Sequence, residues 1–363
     1  MKIEQLETER PAAAPTAPAL TVAVCVGTYN QGPYLRECIE SIFAQSYPVH
    51  EVWVSDDAST DNTPEVMAEL CKLYPTVSYY RQPRNLGIAG NLSWVLAQPT
   101  TDLIGRIDSD DRYEPDYIAT LAELLRLHPE AGYAHCDIHE IDSSGKPLRV
   151  RRLSRTAEYE SPDESLRRSA SGYRVAANCI LYRSAALRQA DYYHPNEGWK
   201  SAEDWDLCLR LAIHDWGNVY APAALASYRV WDDELQSRFR RSAGELESMI
   251  KIYSETLEPE YLRRGWKTNL LKKYRRSRAI SFVCVLDSPL LSQTEKSHLK
   301  TRMHILGDCP ALDFSLFLSR LRLGFLLTFS YTVRFKALDL VKFCLRKLRS
   351  KATNREAEKT ASL

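Results

Sequence analysis

Three short polar clusters hold the side chains with which this sequence could do chemistry. They are Thr28-Tyr29-Asn30, Asp56-Asp57-Ala58-Ser59 and Ile107-Asp108-Ser109-Asp110-Asp111. Asp108 and Asp110 are spaced i, i+2 on a chain leaving an apolar run. Two carboxylates so placed can reach one Mg2+ or Mn2+ while waters and phosphate oxygens fill the other positions. Bare carboxylates repel a diphosphate, and a divalent cation between them reverses the sign. Such an ion would stabilise a departing nucleoside diphosphate by Lewis-acid catalysis. The bland alternative is a solvated acidic turn before a helix, because Asp is a good N-cap. The apolar run leading in, Pro115 opening the next helix and a second acidic cluster in an equivalent place favour the functional reading.

The remaining polar positions divide similarly. One carboxylate of Asp56-Asp57 can accept the imide N–H of uracil or thymine. Ser59, Asp61 and Thr63 lie near a helix start and read as caps. Glu203-Asp204 precede the apolar stretch Trp205 to Leu211. Acids there suit a helix dipole, and they also suit a general base that deprotonates an acceptor hydroxyl.

Such clusters need elements that bring them together. Thr21 to Val26 is β-branched and apolar on both faces, which predicts a buried parallel strand ending at Gly27. Leu35, Cys38, Ile39, Ile42 and Phe43 mark a helix over 34–45. Glu51 to Ser55 predicts a strand, Thr63 to Tyr74 a helix with Pro64 in its first turn, and Val77 to Arg81 a third strand. A helix begins at Gly90, a fourth strand spans Asp102 to Ile107, and Pro115 to His128 is helical. This alternation predicts an α/β fold with a mostly parallel central sheet and helices on both faces. Ligands bind such sheets beyond the carboxyl ends of the strands, which is where all three clusters fall. The interval 132–230 is less regular, with a turn at Ser143 to Lys146 and a helix from Asp204 to His214. It is expected to continue the same domain and form the second half of the site.

The composition excludes little. The chain has 363 residues, 44% hydrophobic and 26% charged, with a net charge of +1, which suits a globular protein and gives no whole-chain argument for nucleic acid. Its nine cysteines are scattered without a CxxC pair, so a zinc site is not expected and buried thiols in a reducing cytoplasm are. The expected organisation is a leader over 1–19, a catalytic domain over 20–240, a helical basic region over 241–351 and a disordered tail over 352–363. From Phe314 to Lys351 nine Lys/Arg face a single acid, Asp339. Two readings stand side by side there. One is amphipathic helices with a solvated basic face; the other is contact with an anionic membrane surface, which suits a lipid-linked acceptor. The uncharged run from Leu323 to Val333 is too short to span a bilayer.

Taken in order, the motifs resemble family 2 glycosyltransferases, inverting enzymes of the GT-A fold. The resemblance covers roughly Thr21 to Tyr228. It rests on Val24 to Asn30, Gln45-Ser46-Tyr47-Pro48, Val54 to Asp61, Asn85-Leu86-Gly87, Asp108 to Asp111 with Pro115, and Glu203-Asp204. It implies a nucleotide-sugar donor bound by Thr28, Tyr29, Asn30, Asp57, Arg84, Asn91, Asp108 and Ser109, with Asp57 at the base. It implies metal ligation by Asp108 and Asp110, catalysis by Asp204 with Glu203 beside it, and an in-line displacement with inversion onto a glycan or lipid-linked saccharide. Gly27 stands where the family usually has Pro, and Trp231 where many members have His. The Gln-x-x-Arg-Trp signature of processive synthases is absent, since residues 236–239 read Gln-Ser-Arg-Phe, which favours transfer of a single sugar.

Trp199 can stack on an acceptor sugar, whereas Trp205 and Trp216 read as core, and His135 and His139 as structural histidines. A non-catalytic sugar-binding protein on the same fold would not need Asp204 beside intact metal-site acids. A nucleotidyltransferase would carry a basic, glycine-rich loop where this chain has Gly27 to Pro33.

Overall fold

The computed structural model describes residues 19–153, 155, 157–172, 175, 179–194, 202–231, 234–288 and 290–320. The leader to residue 18, Trp199, and the basic and terminal residues from 321 onward lie outside them. The chain forms two compact units that interleave in sequence. One holds 1–162, 175–193 and 214–229; the other holds 163–174, 194–213 and 230–363.

The first unit begins with the expected alternation. Its elements are β1 (Val22–Thr28), α1 (Gly32–Phe43), β2 (Glu51–Asp56), α2 (Thr63–Leu73), β3 (Val77–Arg81), α3 (Gly87–Leu96), β4 (Leu103–Asp108), β5 (Arg112–Tyr113) and α4 (Tyr117–Leu127). β6 (Ala131–Ile141), β7 (Pro147–Arg151) and β8 (Tyr159–Glu160) follow. The short helix α5 (Pro162–Ser169) leads into the second unit. β9 (Ile180–Arg183) and α6 (Ser184–Gln189) return to the first, α7 (Glu203–Ile213) belongs to the second, and β10 (Gly217–Arg229) completes the sheet.

The strand order is β3-β2-β1-β4-β9-β6-β10-β5, with β7 beside β6 and β8 beside β10. β3, β2, β1 and β4 are parallel, and so are β6 and β10. β9 lies antiparallel between β4 and β6, and β5, β7 and β8 are antiparallel additions. The sheet is therefore mixed, with its parallel character concentrated in the half that carries the three polar clusters.

Alternate residues of β1 explain why this strand is apolar throughout. Val22, Val24 and Val26 are buried in the core with Leu35, Ile39 and Ile42 of α1 and Met67 and Leu70 of α2. Cys25 points to the other face, where its thiol donates to the carbonyl of Val95 in α3. Gly27 sits on that face too. A Cβ there would lie 2.9 Å from Cδ2 of Leu92, so this glycine is where α3 approaches the sheet closely.

The second unit is helical as expected. Besides α5 and α7 it contains α8 (Glu234–Lys251), a π-helical stretch Ile252–Leu257, α9 (Glu258–Arg263), α10 (Asn269–Ser281), α11 (Gln293–Gly307) and α12 (Pro310–Arg320). Ser292 and Glu295 form a capping box at the start of α11. The interval 132–230 contributes to both units, because the apolar face of α7 packs with the C-terminal helices. Trp205, Leu209 and Ala212 share a core with Leu246, Tyr253 and Leu257, and Trp205 meets Tyr253 edge-on at 5.9 Å. Trp205 is thus a core residue, as its type suggested. Among the described residues no helix is long and apolar enough to cross a membrane.

His135, expected to be structural, is buried on β6. Its Nε2 lies 3.2 Å from a guanidinium nitrogen of Arg155. Burial, followed by the Arg155 charge, pushes the imidazole down to about 3. An unfolded histidine titrates near ~6.5. Between these values only the unfolded chain takes the proton, so stability falls as the pH drops, by up to about 1.4 kcal/mol per pH unit. We expect His135→Asn to flatten the dependence of unfolding free energy on pH between 6 and 4. Parallel curves for the variant and the wild type would exclude His135 as the source.

Candidate active site

The carboxyl ends of β1, β2 and β4 lie side by side in register, with Thr28 opposite Asp56 and Gly27 opposite Asp108. The three clusters therefore do share one edge of the sheet. The first two are knitted together by hydrogen bonds. The amide of Asn30 donates to Oγ of Ser59 at 2.9 Å, the amide of Thr60 donates to Oδ1 of Asn30 at 2.7 Å, and the amide of Asp57 donates to the Thr28 carbonyl at 2.9 Å. Asn30 adopts φ 54°, which asparagine tolerates, and Ala58 adopts φ 62°, which alanine does not favour. Tyr29 is 48% exposed. Thr28 is buried, and its hydroxyl has no hydrogen-bond partner among the described residues.

The adjacent acids at 56 and 57 have different surroundings. Asp56 is fully buried and accepts from the Ser59 amide and the Tyr79 hydroxyl, both at 2.8 Å. It supports the turn. Asp57 accepts the amides of Leu86 at 2.6 Å and Gly87 at 3.0 Å, which open α3. Burial raises its carboxyl above the usual range, those two bonds oppose the rise, and the Asp56 charge adds to it. Asp61 does the capping expected of it, accepting from the amides of Gly32 and Thr63.

Two residues expected near the donor occupy unlike places. Arg84 is exposed on the loop between β3 and α3. Asn91 is 3% exposed, and both ends of its amide meet Ser55: Oδ1 accepts from the hydroxyl at 2.6 Å and Nδ2 donates to the carbonyl at 2.9 Å. It is a strut between α3 and β2.

The decisive pattern follows β4. Asp108 and Asp110 are half-buried, whereas Ser109 and Asp111 are each 2% exposed. The turn thus turns alternate side chains outward and inward, and the two outward ones are carboxylates. Asp111 reaches β10. Its Oδ1 accepts the backbone amide of Arg229 at 2.8 Å, which ties the turn to the end of β10. Among the described residues no three His, Cys, Asp or Glu side chains converge into a metal cage. Two hard carboxylate oxygens on one turn instead suit an ion whose other ligands come from phosphate and water.

Arg229 is a functional-site residue that spacing did not reveal. Its side chain is buried and donates to the carbonyls of Asp110, Asp142 and Ser143 at 2.8, 3.0 and 3.1 Å and to Oε2 of Glu37 at 2.6 Å. It also lies over the Tyr34 ring. On the opposite side Arg106, within β4, donates to Oδ1 of Asp108 at 2.8 Å. The only signal for Arg106 was a charge inside the apolar run Leu103 to Ile107; for Arg229 it was the Tyr228-Arg229 pair that precedes Trp231.

Glu203 and Asp204 stand in the first turn of α7, in the second unit, and both are half-buried. They occupy the end of a helix where acids are favoured. Ala202 just before them adopts φ 69°.

Known proteins share the fold that carries these clusters. The family model described as Glycosyl transferase family 2 matches residues 23–191. Over those residues the chain is similar to that family, and it is read as a glycosyltransferase. A putative glycosyltransferase of Bacillus subtilis, EpsE, is 27% identical over 233 residues, covering 64% of this chain and 80% of its own. The crystal structure of Staphylococcus aureus TarS 1–349 superposes with a TM-score of 0.58 at 20% identity, covering 84% of this chain and 85% of that one. The mannosyltransferase PcManGT of Pyrobaculum calidifontis, solved with GDP-Man and Mn2+, gives a TM-score of 0.50 at 18% identity, covering 86% and 91%. The glycosyltransferase thus has the GT-A type of α/β fold expected for it, with a helical C-terminal region.

In this transferase the Arg229 side chain is a structural hub. Arg229→Met leaves three carbonyls and Glu37 without their shared donor, which should cost about 2–3 kcal/mol given the strength of hydrogen bonds to charged groups. Urea unfolding measures it. A variant as stable as the wild type would show that the hub carries no load.

Proposed function

We propose that this glycosyltransferase moves one sugar from a UDP- or dTDP-linked donor to an acceptor hydroxyl, with inversion and without processivity, in the assembly of a cell-surface polysaccharide or O-antigen. The observation that carries the reading is the alternation at the end of β4, with Asp108 and Asp110 outward and Ser109 and Asp111 inward. Outward acids beside the Thr28 loop fit a divalent ion, Mn2+ or Mg2+, shared with a diphosphate. When bound, that ion supplies charge stabilisation to the leaving nucleoside diphosphate.

The chain's own residues take the other tasks. Asp108 and Asp110 hold the ion, and Ser109 keeps the turn seated. Thr28, Tyr29 and Asn30 line the nucleotide pocket. The buried Thr28 hydroxyl has a donor and acceptor to offer a ligand. Asp57 reads the base with lone pairs beyond those used by Leu86 and Gly87, because a carboxylate has about four acceptor sites. Arg84 is exposed and cationic, which suits contact with donor phosphates. Asn91 acts through Ser55 by holding α3 against β2. Asp204 takes the proton of the acceptor hydroxyl, Glu203 supports it, and Trp199 stacks on the acceptor sugar. The acceptor is a glycan or a lipid-linked saccharide. Contact of 314–351 with an anionic membrane at the cytoplasmic face would bring a lipid-linked acceptor within reach; Phe314 and Phe317, 61% and 53% exposed, offer apolar anchors beside the basic sequence.

Asp110→Ala is expected to abolish donor turnover and to weaken metal-dependent UDP binding in calorimetry; unchanged transfer would defeat the metal assignment. Asp204→Asn should keep UDP binding while transfer drops by about 10²–10⁴-fold, the usual worth of a general base. Transfer at the wild-type rate in that variant would place the base elsewhere.

A further inference from the structure

We propose that Arg106 is a positioning residue for Asp108, fixing the direction in which that carboxylate meets a divalent ion. The inference rests on the metal reading given above. Arg106 lies inside β4, opposite Cys25 of β1 and Ile180 of β9. Its neighbours Leu103, Ile104 and Ile107 are buried core residues, and Arg106 itself is 2% exposed. A guanidinium is costly to bury in such a strand, and a well-aligned anionic partner offsets the cost. Asp108 is that kind of partner: Nη2 of Arg106 donates to its Oδ1 at 2.8 Å. The two-residue period of a strand sends both side chains to the same face, so the bond forms without distorting β4.

The strand backbone is itself held at this residue. Its carbonyl accepts the Tyr113 hydroxyl at 3.0 Å, and the Tyr113 ring stacks on Tyr117 at 3.8 Å. A guanidinium fixed at this depth anchors one oxygen of Asp108 and thereby limits the directions open to the other. Asp110 is restrained separately, through the bond from Arg229 to its carbonyl. The two metal-site acids thus each have a named arginine support, Arg106 at the Asp108 side chain and Arg229 at the Asp110 carbonyl.

Two effects oppose each other when Arg106 is removed. A nearby positive charge repels a cation, so its loss favours binding; the freed carboxylate loses its orientation, which disfavours binding. The Arg106 charge already faces Asp108 in an ion pair, which reduces the first effect. Groups that orient metal ligands are commonly worth about 10–100-fold in affinity, so the second prevails.

The experiment titrates Mn2+ against the full chain with UDP, dTDP or GDP present, counting bound ion by loss of the free Mn2+ resonance. Arg106→Met should raise the Mn2+ concentration at half-saturation about tenfold, while Arg106→Lys, which keeps a cation and one donor, recovers part of the loss. A cooperative thermal melt is required of each variant. If Arg106→Met does not fold, Arg106→Lys is judged alone, and an unchanged midpoint overturns the proposal. A wild-type or lower Mn2+ requirement in Arg106→Met, with binding lost in Asp110→Ala, also overturns it while leaving the metal reading intact. Wild-type binding in Asp110→Ala, or no Mn2+ binding by the wild type with any of the three nucleotides, sinks the metal reading itself.

Discussion

The site depends on one geometric constraint, the two-residue period of β4 carried past the end of its pairing. Within the strand the period separates two packed layers. At the carboxyl end it separates side chains that must be wet from side chains that must be buried. Asp108 and Asp110 fall on the outward phase, Ser109 and Asp111 on the inward one. A slip of one residue would bury Asp108 and Asp110 and expose Ser109 and Asp111. The parallel register with β1, which sets Gly27 opposite Asp108, resists such a slip. So does the Asp111 bond to the amide of Arg229, which is formed across 118 positions of sequence.

Charge compensation is the second constraint. Five carboxylates, Asp56, Asp57, Asp108, Asp110 and Asp111, lie around one turn and its neighbouring strand end and would repel one another if left alone. The chain answers with two buried arginines that have different duties. Arg229 spends most of its donors on backbone carbonyls and so shapes the turn. Arg106 gives a donor to a side chain, and so aims it. Arginine suits both duties because its planar fork offers several donors in fixed directions and stays charged when buried.

Legibility in the sequence followed the range of the interactions. β1 to α4 could be read within a few residues because strand and helix periods are local, and the three clusters could be assigned to one edge because parallel topology demands it. The C-terminal helices were legible from composition. The division of 132–230 between two units was not, because the apolar face of α7 could be seen but its partners Leu246 and Tyr253 could not. The arginine hub was hidden for the same reason. Its contacts with Glu37 and Asp142 join residues far apart in sequence, and a lone Tyr-Arg pair carries no sign of them.

Identical residue types acquired different duties from their environments, and this limits what any motif can say. Asp56 and Asp57 are neighbours at the end of β2, yet one braces its own turn and the other opens α3. Asp110 and Asp111 are neighbours at the end of β4, yet one is half-exposed and the other is sealed against β10. In each pair the motif identifies a place where carboxylates are needed, and the partners each one meets decide its duty; Asp56 and Asp57 are both buried, and only in the second pair does one acid, Asp110, reach solvent. A buried carboxylate at such an edge is therefore as much a part of the site as an exposed one, because it holds the backbone from which its neighbour projects.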